Sequence, residues 1–562
     1  MPLRLPIGVS DFRDLREKGL EYVDKSGLLV EMIDREGTKV LLLPRPRRFG
    51  KTLNLSMLRC FFERRPEDLS HLFQDLSVWK AGDAYRKHFQ RYPVIFLTFR
   101  DTKASTFESC WEDLAQKIRE LFREHQWLVD AGVLDSGETR DYRAILDGTA
   151  AAVLYRRALG DLSQYLHRAT GERAMILIDE YDQPIHAGFV SGYYKEIIEF
   201  FRAFLTVGLK DNPHLERGVL TGILRVSRES IFSGLNNLSV FTLLDAPFST
   251  CFGFTEPEVT ALLARADLLD HRDAVRDWYN GYIFGGTVIY NPWSVLNFLD
   301  RGGKAKSYWL NTSSNDLIKA SLSKHGARLS PALEALLAGG GFDLILDENV
   351  VLDQVDRSDV ILWSLLVFSG YLKAEELPGD PAELSVHRVS IPNREVRLVY
   401  KETFQRWLEE RMRGHGADLR RLLDALLSGD AALLEVQLGA LLKNVLSFHD
   451  FGPDEPERFY QAFLLGLLCA LEPGHRVRSN RESGKGRPDV QVLPNAPGRP
   501  GVVLELKVAR GKKTLDEALD EGAEQARVKD YAAELVAAGA DPVHVLVIAF
   551  DGKEIRVRRP EA

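Results

Sequence analysis

The stretch from Val40 to Thr52 has the residue types, in the right order, to bind a phosphate. A short apolar run, Val40 to Leu43, leads into Pro-Arg-Pro-Arg-Arg-Phe-Gly-Lys-Thr, and apolar residues then recur at helical spacing. A buried strand, a loop and a helix N-terminus direct free N–H groups and the positive end of a helix dipole at an anion. The stretch ends in the P-loop pattern G-x-x-x-x-G-K-[ST], except that Arg45 replaces the first glycine.

This loop sequence predicts a bound nucleotide with a metal ion. In a P-loop, backbone N–H groups hold the phosphates, the lysine reaches the β and γ oxygens, and the hydroxyl binds Mg²⁺. The predicted nucleotide-binding residues are consecutive, with Thr52 also a metal ligand: Arg47, Arg48, Phe49, Gly50, Lys51 and Thr52. The alternative is a basic loop that caps an ordinary helix and leaves Lys51 in solvent.

A second stretch, Met175 to Glu180, supplies carboxylates for the same chemistry. Four apolar residues run directly into Asp179 and Glu180, which is the Walker B arrangement of a P-loop ATPase. A buried strand would bring Asp179 to the edge of a sheet, where it binds Mg²⁺ through water. Glu180 is predicted to orient or deprotonate an attacking water. A strand that simply ends in surface carboxylates is the alternative, but each motif supports the other.

A further strand is predicted from Gly218 to Leu224, and two of its polar neighbours are candidates for the site. Thr221 occupies the place where such ATPases carry a polar residue that senses the γ-phosphate. Arg225, just beyond the strand, is placed to touch a phosphate, a neighbouring subunit of a homo-oligomer, or a surface carboxylate. The alternation of strands and helices implies a parallel sheet with its ligand at the carboxyl ends of the strands.

The C-terminal part of the chain carries a second set of candidate catalytic residues. Pro488-Asp489 and Glu505-Leu506-Lys507 spell the PD-(D/E)-x-K pattern. Asp489 and Glu505, from adjacent strands, are predicted to share Mg²⁺ with the carbonyl group of Leu506. Lys507 faces the same side of its strand as Glu505 and is placed to polarise the attacking water or to stabilise the charged phosphorane.

The chain resembles a family of prokaryotic proteins that join an AAA-like ATPase domain to a restriction-endonuclease-like domain. The segments that carry the resemblance are YVDKS at 22–26, RPRRFGKT at 45–52, LIDEYDQP at 177–184, LTGILRVSRESIFSGLNNL at 220–238, WYNGY at 278–282, YNPWS at 290–294, YWLNTSS at 308–314 and SIPNREV at 390–396. In that family the first glycine of the loop is usually missing, so Arg45 does not count against the site. The resemblance implies ATP binding and hydrolysis.

The order of elements after residue 456, a helix, three strands, a helix and a strand, resembles the restriction-endonuclease-like core. By that resemblance Gln525 corresponds to a helix glutamine often found in the superfamily, and we count it among the catalytic residues. Glu457 likewise corresponds to the acidic residue on its first helix, and we count it among the metal ligands.

Two helix starts and one aromatic cluster allow plainer predictions. Ser26 is predicted to cap a helix, and Thr255 with Glu258 three residues later predicts a capping box. The aromatic residues between Trp278 and Trp293 are suited to packing or to stacking on bases, with packing the commoner role.

Length and composition predict an α/β protein of several domains. With 562 residues the chain exceeds one core. We predict an AAA-like P-loop ATPase domain with a parallel sheet at 1–250, a helical lid and middle region at 251–450, and a PD-(D/E)XK nuclease-like domain at 451–562. No signal peptide or apolar run of membrane-spanning length is evident, and the four cysteines lie far apart, which predicts a cytoplasmic protein without a membrane partner.

The predicted function is hydrolysis of nucleic acid, DNA first, gated or powered by ATP. The net charge of −8 excludes a global basic field, so nucleic acid must be bound by a local patch near the second site: Arg481, Lys485 and Arg487. A role in defence or in mobile elements rests on analogy of architecture alone. Two alternatives stay open: an ATP-dependent switch whose nuclease-like domain only binds nucleic acid or partners, and a nuclease whose ATPase fold is a degenerate scaffold.

Overall fold

The protein, seen in a computed structural model, forms two compact units. One comprises residues 1–313 and 343–395, and the other comprises 314–342 and 396–562. The structure describes residues 3–224, 231, 235–309, 332, 335–336, 339–349, 352–355, 358–380, 384–402, 418–445, 456–471, 474–479, 488–509, 513–529, 532–552 and 554–560. The predicted domain boundaries at 250 and 450 stay a prediction.

A five-stranded parallel sheet forms the centre of the first unit. Its strands are β1 Val40–Pro44, β2 Val94–Thr98, β3 Ala174–Asp179, β4 Leu215–Gly222 and β5 Leu238–Val240, in the spatial order β2-β3-β4-β1-β5. Every pairing is parallel. Strands β1 and β3 are buried along their whole length, as expected for continuous apolar runs covered on both faces. The predicted parallel α/β sheet is confirmed.

Eleven helices accompany the described part of this sheet. They are α1 Phe12–Glu17, α2 Gly27–Asp34, α3 Lys51–Phe62, α4 Ser77–Lys80, α5 Asp83–Arg86, α6 Phe107–Glu124, α7 Trp127–Asp130, α8 Ser136–Asp147, α9 Ala152–Thr170, α10 Gln183–Ser191 and α11 Tyr194–Leu209. Helix α6 buries Cys110, Leu114, Ile118 and Leu121, the three- and four-residue spacing of one helix face. Helix α3 begins directly after Gly50 and packs on β2 and β3, which places its N-terminus at the strand ends.

Between residues 251 and 450 the described chain contains helices and two small sheets. The helices are α12 Glu256–Arg265, α13 Arg272–Tyr279, α14 Pro292–Asp300, α15 Asp359–Phe368, α16 Leu419–Ser428 and α17 Ala431–Val445. The sheets have the orders β6-β8-β7 and β10-β11-β9, with strands β6 Phe254–Thr255, β7 Tyr282–Phe284, β8 Thr287–Tyr290, β9 Gly341–Ile345, β10 Lys373–Glu376 and β11 Val386–Ser390. The helical description of this region therefore omitted six strands, which have two to five residues each.

The two predicted helix caps had different outcomes. The capping box of Thr255 and Glu258 at the start of α12 is confirmed. Ser26 makes no cap hydrogen bond, so that prediction is wrong. Its backbone is already helical, whereas an N-cap needs an extended backbone to turn its oxygen toward the helix. The Ser26 hydroxyl instead lies 2.8 Å from the Ser77 hydroxyl and accepts the N–H of Val78 at the second residue of α4.

The C-terminal part of the second unit has the predicted order of elements. Its elements are α18 Pro456–Leu468, β12 His475–Ser479, β13 Val490–Pro494, β14 Gly501–Val508, α19 Leu515–Lys529, α20 Ala533–Ala537, β15 Val543–Asp551 and β16 Glu554–Arg558. The sheet order is β12-β13-β14-β15-β16, with β14 and β15 parallel and the other neighbours antiparallel. A short helix and a closing strand are additions to the predicted order. Among the described helices of the whole chain, none is long and apolar enough to cross a membrane.

Asp182 fixes the end of β4 in the first unit. Its side chain is fully buried, and one carboxylate oxygen accepts the N–H groups of Ile223 at 2.8 Å and Leu224 at 3.0 Å. A β-carbon on Gly222 would lie 2.7 Å from the other oxygen, so glycine is needed for this close approach. The carboxylate thus accepts the two N–H groups that directly follow β4. The strand ends there, next to the candidate site.

Replacing Asp182 by alanine would leave two buried N–H groups without their acceptor. We expect Asp182→Ala to lower the free energy of unfolding by about 3 kcal/mol, measured by urea titration followed through tryptophan fluorescence. Asp130→Ala, at an exposed position of α7, is the control and should change it by less than about 0.5 kcal/mol. Equal midpoints for the two variants would contradict the role of Asp182.

Candidate functional site

The carboxylate of Asp179 joins the ends of neighbouring elements at one edge of the parallel sheet. Thr52 at the start of α3 donates to one oxygen at 2.7 Å, and Thr221 of β4 donates to the other at 2.8 Å. Thr98 at the end of β2 reaches the first oxygen at 3.5 Å. Because β4 lies between β1 and β3, it delivers Thr221 between the loop and the acidic strand end. Three residues predicted from separate motifs thus meet in one cluster.

The loop from Arg45 to Thr52, here called the GKT loop, has the backbone of an anion site. Arg48 and Gly50 have positive φ angles of 69° and 87°, and Gly50 stands directly before helix α3. Left-handed residues in such a loop turn successive N–H groups toward one point. Lys51 is buried, and its ammonium group donates to the carbonyls of Arg45 and Pro46, each at 3.0 Å. Lys51 therefore lies across the loop and not in solvent.

Arg45, which replaces the first glycine of the pattern, is a structural residue. Its side chain is fully buried and donates to the carbonyls of Pro44 at 2.8 Å, Phe241 at 2.7 Å and Phe248 at 3.3 Å. The guanidinium carbon also lies 5.1 Å from the ring centre of Phe252. Burial lowers the pKa of Arg45 to about 10. The arginine thus anchors the start of the loop to the segment that follows β5.

The other residues of the GKT loop divide into packing residues and cations. Phe49 is buried against Tyr282 and Phe284, with ring centres 4.9 and 5.2 Å away. Its backbone carbonyl accepts the N–H of Gly253 at 3.2 Å. Partial burial, together with the nearby Arg100, lowers the pKa of Arg48. Nucleotide binding by Phe49 could therefore involve only its backbone or the rim of its ring.

A cavity of about 410 Å³ opens in front of the GKT loop. Its lining carries six cations and three carboxylates: Lys25, Arg47, Arg48, Lys51, Arg100 and Lys103 against Glu21, Asp101 and Glu180. Apolar side chains line it as well, among them Val9, Val23 and Phe254. A pocket that combines excess positive charge with apolar surface suits a ligand with an anionic group and a flat apolar part.

Glu180 is held in an uncommon backbone conformation at the edge of this cavity. Its φ angle is 51°, in the left-handed region where a residue with a β-carbon is strained. Burial raises the pKa of Glu180, while the charge of Lys51 acts in the opposite direction. The structure thus places Glu180 at the cavity, and its action on an attacking water stays a prediction.

Sequence reasoning missed three cations of the cavity, Lys25, Arg100 and Lys103. Arg100 follows the carboxyl end of β2, so the rule that ligands bind at strand ends was the signal for it. Lys25 is buried, and its ammonium group donates to both oxygens of Glu258 at 2.7 Å and to the carbonyl of Thr250 at 3.0 Å. The predicted Arg225 lies outside the described residues.

The second candidate site lies where β13 and β14 meet. Asp489 directly precedes β13, and its carboxylate accepts the N–H of Leu506 at 2.7 Å. Glu505 of β14 is almost completely buried, and the Lys507 ammonium group donates to it at 2.8 Å. Residues 505 and 507 lie on the same face of the strand. Both carboxylates and the lysine are therefore close together, as predicted.

Helix α19 covers this face of the sheet. A β-carbon on Gly522 would lie 3.2 Å from the Cγ of Lys507 and 3.7 Å from that of Glu505, so the helix packs directly on the site. Gln525 follows one turn later on the same helix, and its role stays a prediction. Glu457 belongs to α18, but its side chain lies outside the described residues, as do Arg481, Lys485 and Arg487.

Carboxylate and hydroxyl oxygens are the ligands that Mg²⁺ uses in proteins, so the donor types at both sites fit this ion. Within the described residues, no three His, Cys, Asp or Glu side chains gather in a metal-binding group. Each site thus offers at most two carboxylates there, which suits an ion that keeps several waters. The Leu506 carbonyl as a metal ligand stays a prediction.

The two sites define a protein with one P-loop-type unit and one restriction-endonuclease-like domain, and the comparisons with known proteins agree. Residues 6–232 match the family described as a predicted AAA-ATPase, and residues 455–559 match the PD-(D/E)XK nuclease superfamily. A protein of Azotobacter chroococcum mcd 1, described as an uncharacterized protein in the vnfD 5′ region, is 30% identical over 563 residues, 97% of this chain and 96% of that protein.

The chain therefore belongs to the family that joins an AAA-ATPase-like domain to a C-terminal PD-(D/E)XK nuclease superfamily domain. The resemblance seen in the sequence motifs is confirmed. Both kinds of domain point to hydrolase chemistry, and both generally use a divalent metal, the first together with a nucleotide.

Restoring the glycine of the P-loop pattern should harm this protein. Arg45→Gly removes the donors to three carbonyl groups and leaves a cavity, so we expect the free energy of unfolding to fall by about 3 kcal/mol or more in urea titrations. Arg45→Lys should recover only part of the loss, because an ammonium group lacks the guanidinium fork. Arg47→Gly, two residues further along the same loop, is the control and should lower the free energy of unfolding by about 1 kcal/mol at most. An unchanged free energy of unfolding in Arg45→Gly would show that the buried contacts of Arg45 do not stabilise the protein.

Proposed function

We propose that the first unit binds ATP with Mg²⁺ in the cavity before the GKT loop and hydrolyses it, and that the C-terminal domain hydrolyses nucleic acid, DNA first. The observation that carries the proposal is the cluster of Thr52, Asp179 and Thr221 beside a cationic cavity. The proposed partner of the second site is nucleic acid. We further propose that ATP binding or hydrolysis at the first site gates or powers hydrolysis at the second site.

The GKT loop and Asp179 supply what a nucleotide phosphate with its metal requires. Thr52 and Asp179 would hold Mg²⁺, directly and through water, because their oxygens already lie 2.7 Å apart. The metal would neutralise charge on the β and γ oxygens. Lys51 would exchange its two loop carbonyls for phosphate oxygens, which are stronger acceptors because they are charged. The apolar lining near Val23 and Phe254 would receive the base.

Glu180 is the proposed residue that orients or deprotonates the attacking water. It lies next to Asp179 in sequence, lines the same cavity, and has a raised pKa because of burial. A base works best when its pKa approaches the working pH, so this direction of shift favours the role. The strained backbone at Glu180 supports the same assignment, since strain of this kind concentrates at functional sites.

Nucleotide binding is tested by Lys51→Ala. We expect the Kd of mant-ATP in the presence of Mg²⁺, measured by fluorescence, to rise by about 10- to 100-fold, the usual value of a charge-assisted hydrogen bond to phosphate. Lys195→Ala, on an exposed position of α11, is the matched control and should bind like the wild type. If Lys51→Ala leaves the affinity unchanged, Lys51 does not contact the nucleotide. That result would favour the alternative in which the ATPase fold is a degenerate scaffold.

The geometry of the second site supports phosphodiester hydrolysis. Asp489 and Glu505 would hold Mg²⁺, which would activate a water and stabilise the leaving oxygen. Lys507, held by Glu505 at 2.8 Å, would stabilise the charge that develops on the phosphate. The hydrogen bond from the Leu506 N–H fixes the Asp489 carboxylate against β14, so both carboxylates are positioned before a metal arrives.

Cleavage is tested with plasmid DNA and Mg²⁺, with and without ATP. Lys507→Ala should lower the rate by about 100-fold or more, as the loss of one electrostatic contact to a transition state does. Lys443→Ala, on an exposed position of α17, is the control. DNA binding in a gel-shift assay without cleavage by the wild type would favour the switch, and cleavage that survives in Lys507→Ala would contradict the proposed site.

A further inference from the structure

Four sequence segments to which no catalytic role has been assigned meet around the GKT loop. They are residues 278–282, 290–294, 308–314 and 390–396, and their described parts up to residue 395 belong to the first unit. Gly281 has a φ angle of 95°, and a β-carbon there would lie 2.0 Å from the carbonyl oxygen of Pro392. Tyr282 packs edge-on against Phe49 of the loop. Together these four segments form a scaffold beside the GKT loop.

A buried carboxylate organises this cluster. Glu395 is fully buried, and one of its oxygens accepts the backbone N–H groups of Tyr308 and, at 2.7 Å, Trp309. Its other oxygen accepts the hydroxyl of Ser294 at 2.7 Å. Burial raises the pKa of Glu395 to about 7, although these donors favour the ionised form. A buried acidic group with three donors is costly to rearrange, so it holds the 308–309 segment against α14.

Two tryptophans connect this scaffold to consecutive residues of the GKT loop. The indole N–H of Trp309 donates to the carbonyl of Arg47 at 3.3 Å. The indole N–H of Trp293 donates to the carbonyl of Tyr308 at 3.2 Å, and the guanidinium carbon of Arg48 lies 4.3 Å from the Trp293 ring centre. The two tryptophans thus hold the backbone of Arg47 and the side chain of Arg48.

The bond from Trp309 also fixes a donor of the loop. The carbonyl of Arg47 and the N–H of Arg48 belong to one planar trans peptide, so they point in opposite directions. With the carbonyl fixed on Trp309, the N–H of Arg48 must point away from Trp309. In a loop with left-handed residues at 48 and 50, the orientation of such a peptide decides whether its N–H can join an anion site.

The same scaffold lies at two points where the chain passes between its compact units. The first unit ends at residue 313 and again at residue 395, so Glu395 is its last residue and Trp309 stands four residues before the other end. A change in the hydrogen bonds of Glu395 would therefore reach the connection at 395 through the backbone alone. No contact between the units is needed for this effect.

We propose that Glu395, Trp309 and Trp293 are positioning residues that set the GKT loop for nucleotide binding and transmit its occupancy to the chain connection at 395. The inference rests on the proposed binding of ATP to this loop. A phosphate would compete with the Trp293 ring for Arg48. It would also accept the N–H of Arg48 and so polarise the peptide whose carbonyl accepts from Trp309, which would strengthen that bond. The altered bonds of residues 308 and 309 would then change the Glu395 cluster.

The test uses the full-length protein and the variant Trp309→Phe, which keeps an aromatic ring against Tyr371, now 4.8 Å between ring centres, and removes the indole donor. In the wild type, saturating ATP with Mg²⁺ should change hydrogen–deuterium exchange in peptides that cover 394–402. In Trp309→Phe we expect mant-ATP affinity to fall about tenfold and this exchange response to disappear even at saturation. Trp127→Phe, at an exposed position, is the control and should behave like the wild type.

The outcomes separate this inference from the proposed function. Failure of the wild type to bind mant-ATP would overturn both. Wild-type affinity together with an unchanged exchange response in Trp309→Phe would overturn the positioning role and leave ATP binding intact. Should Trp309→Phe fail to fold, Trp293→Phe serves instead, since it removes the donor to Tyr308 and weakens the contact with Arg48. The same loss of response is expected there, and a retained response would contradict the proposal.

Discussion

The first unit depends on one buried carboxylate. Asp179 ends a fully buried strand, and charge in such a place is tolerated only when donors surround it. Thr52 and Thr221 supply those donors from helix α3 and strand β4. The hydrogen bonds that make the sheet edge stable therefore also bring together the oxygens that we propose to bind a metal. On that proposal the same atoms would serve folding and ligand binding.

The GKT loop gains its shape from tertiary contacts more than from glycine. In the usual pattern a first glycine lets the backbone bend without a side chain, whereas here Arg45 directs its side chain into the protein and bonds three carbonyl groups. Phe49 is held between aromatic rings, and the carbonyl of Arg47 is held by Trp309. Residues far along the chain therefore take part in fixing the shape of this loop.

In the C-terminal domain the carboxylates of the candidate site are held by different hydrogen-bond donors. Its acidic residues come from an antiparallel pair of strands, and the Leu506 N–H and the Lys507 ammonium group take the place of the threonine hydroxyls. Local charge decides what such a site attracts, because electrostatic effects at the surface fade within about 10 Å at moderate salt. An overall charge of −8 is therefore compatible with a nucleic acid substrate.

The sequence by itself determined the main elements and most of the residues that meet at the two candidate sites. Apolar runs that end in Gly-Lys-Thr, Asp-Glu or Glu-x-Lys predicted the strands, because side-chain burial and motif spacing are local properties. The long amphipathic helix at 107–124 was predicted for the same reason. Short strands such as Phe254–Thr255 escaped prediction, because two residues cannot show a period.

Only the tertiary structure decided the surroundings of the centres. The side chain of Arg45 is buried and anchors the GKT loop, and Ser26 does not cap a helix. Lys25 and Arg100 line the cavity. The tertiary structure also brought Glu395 to Trp309, 86 positions away in sequence. Contacts of this kind depend on which faces the packed sheet and helices present to one another, and that follows from the burial of the whole core and not from any local pattern.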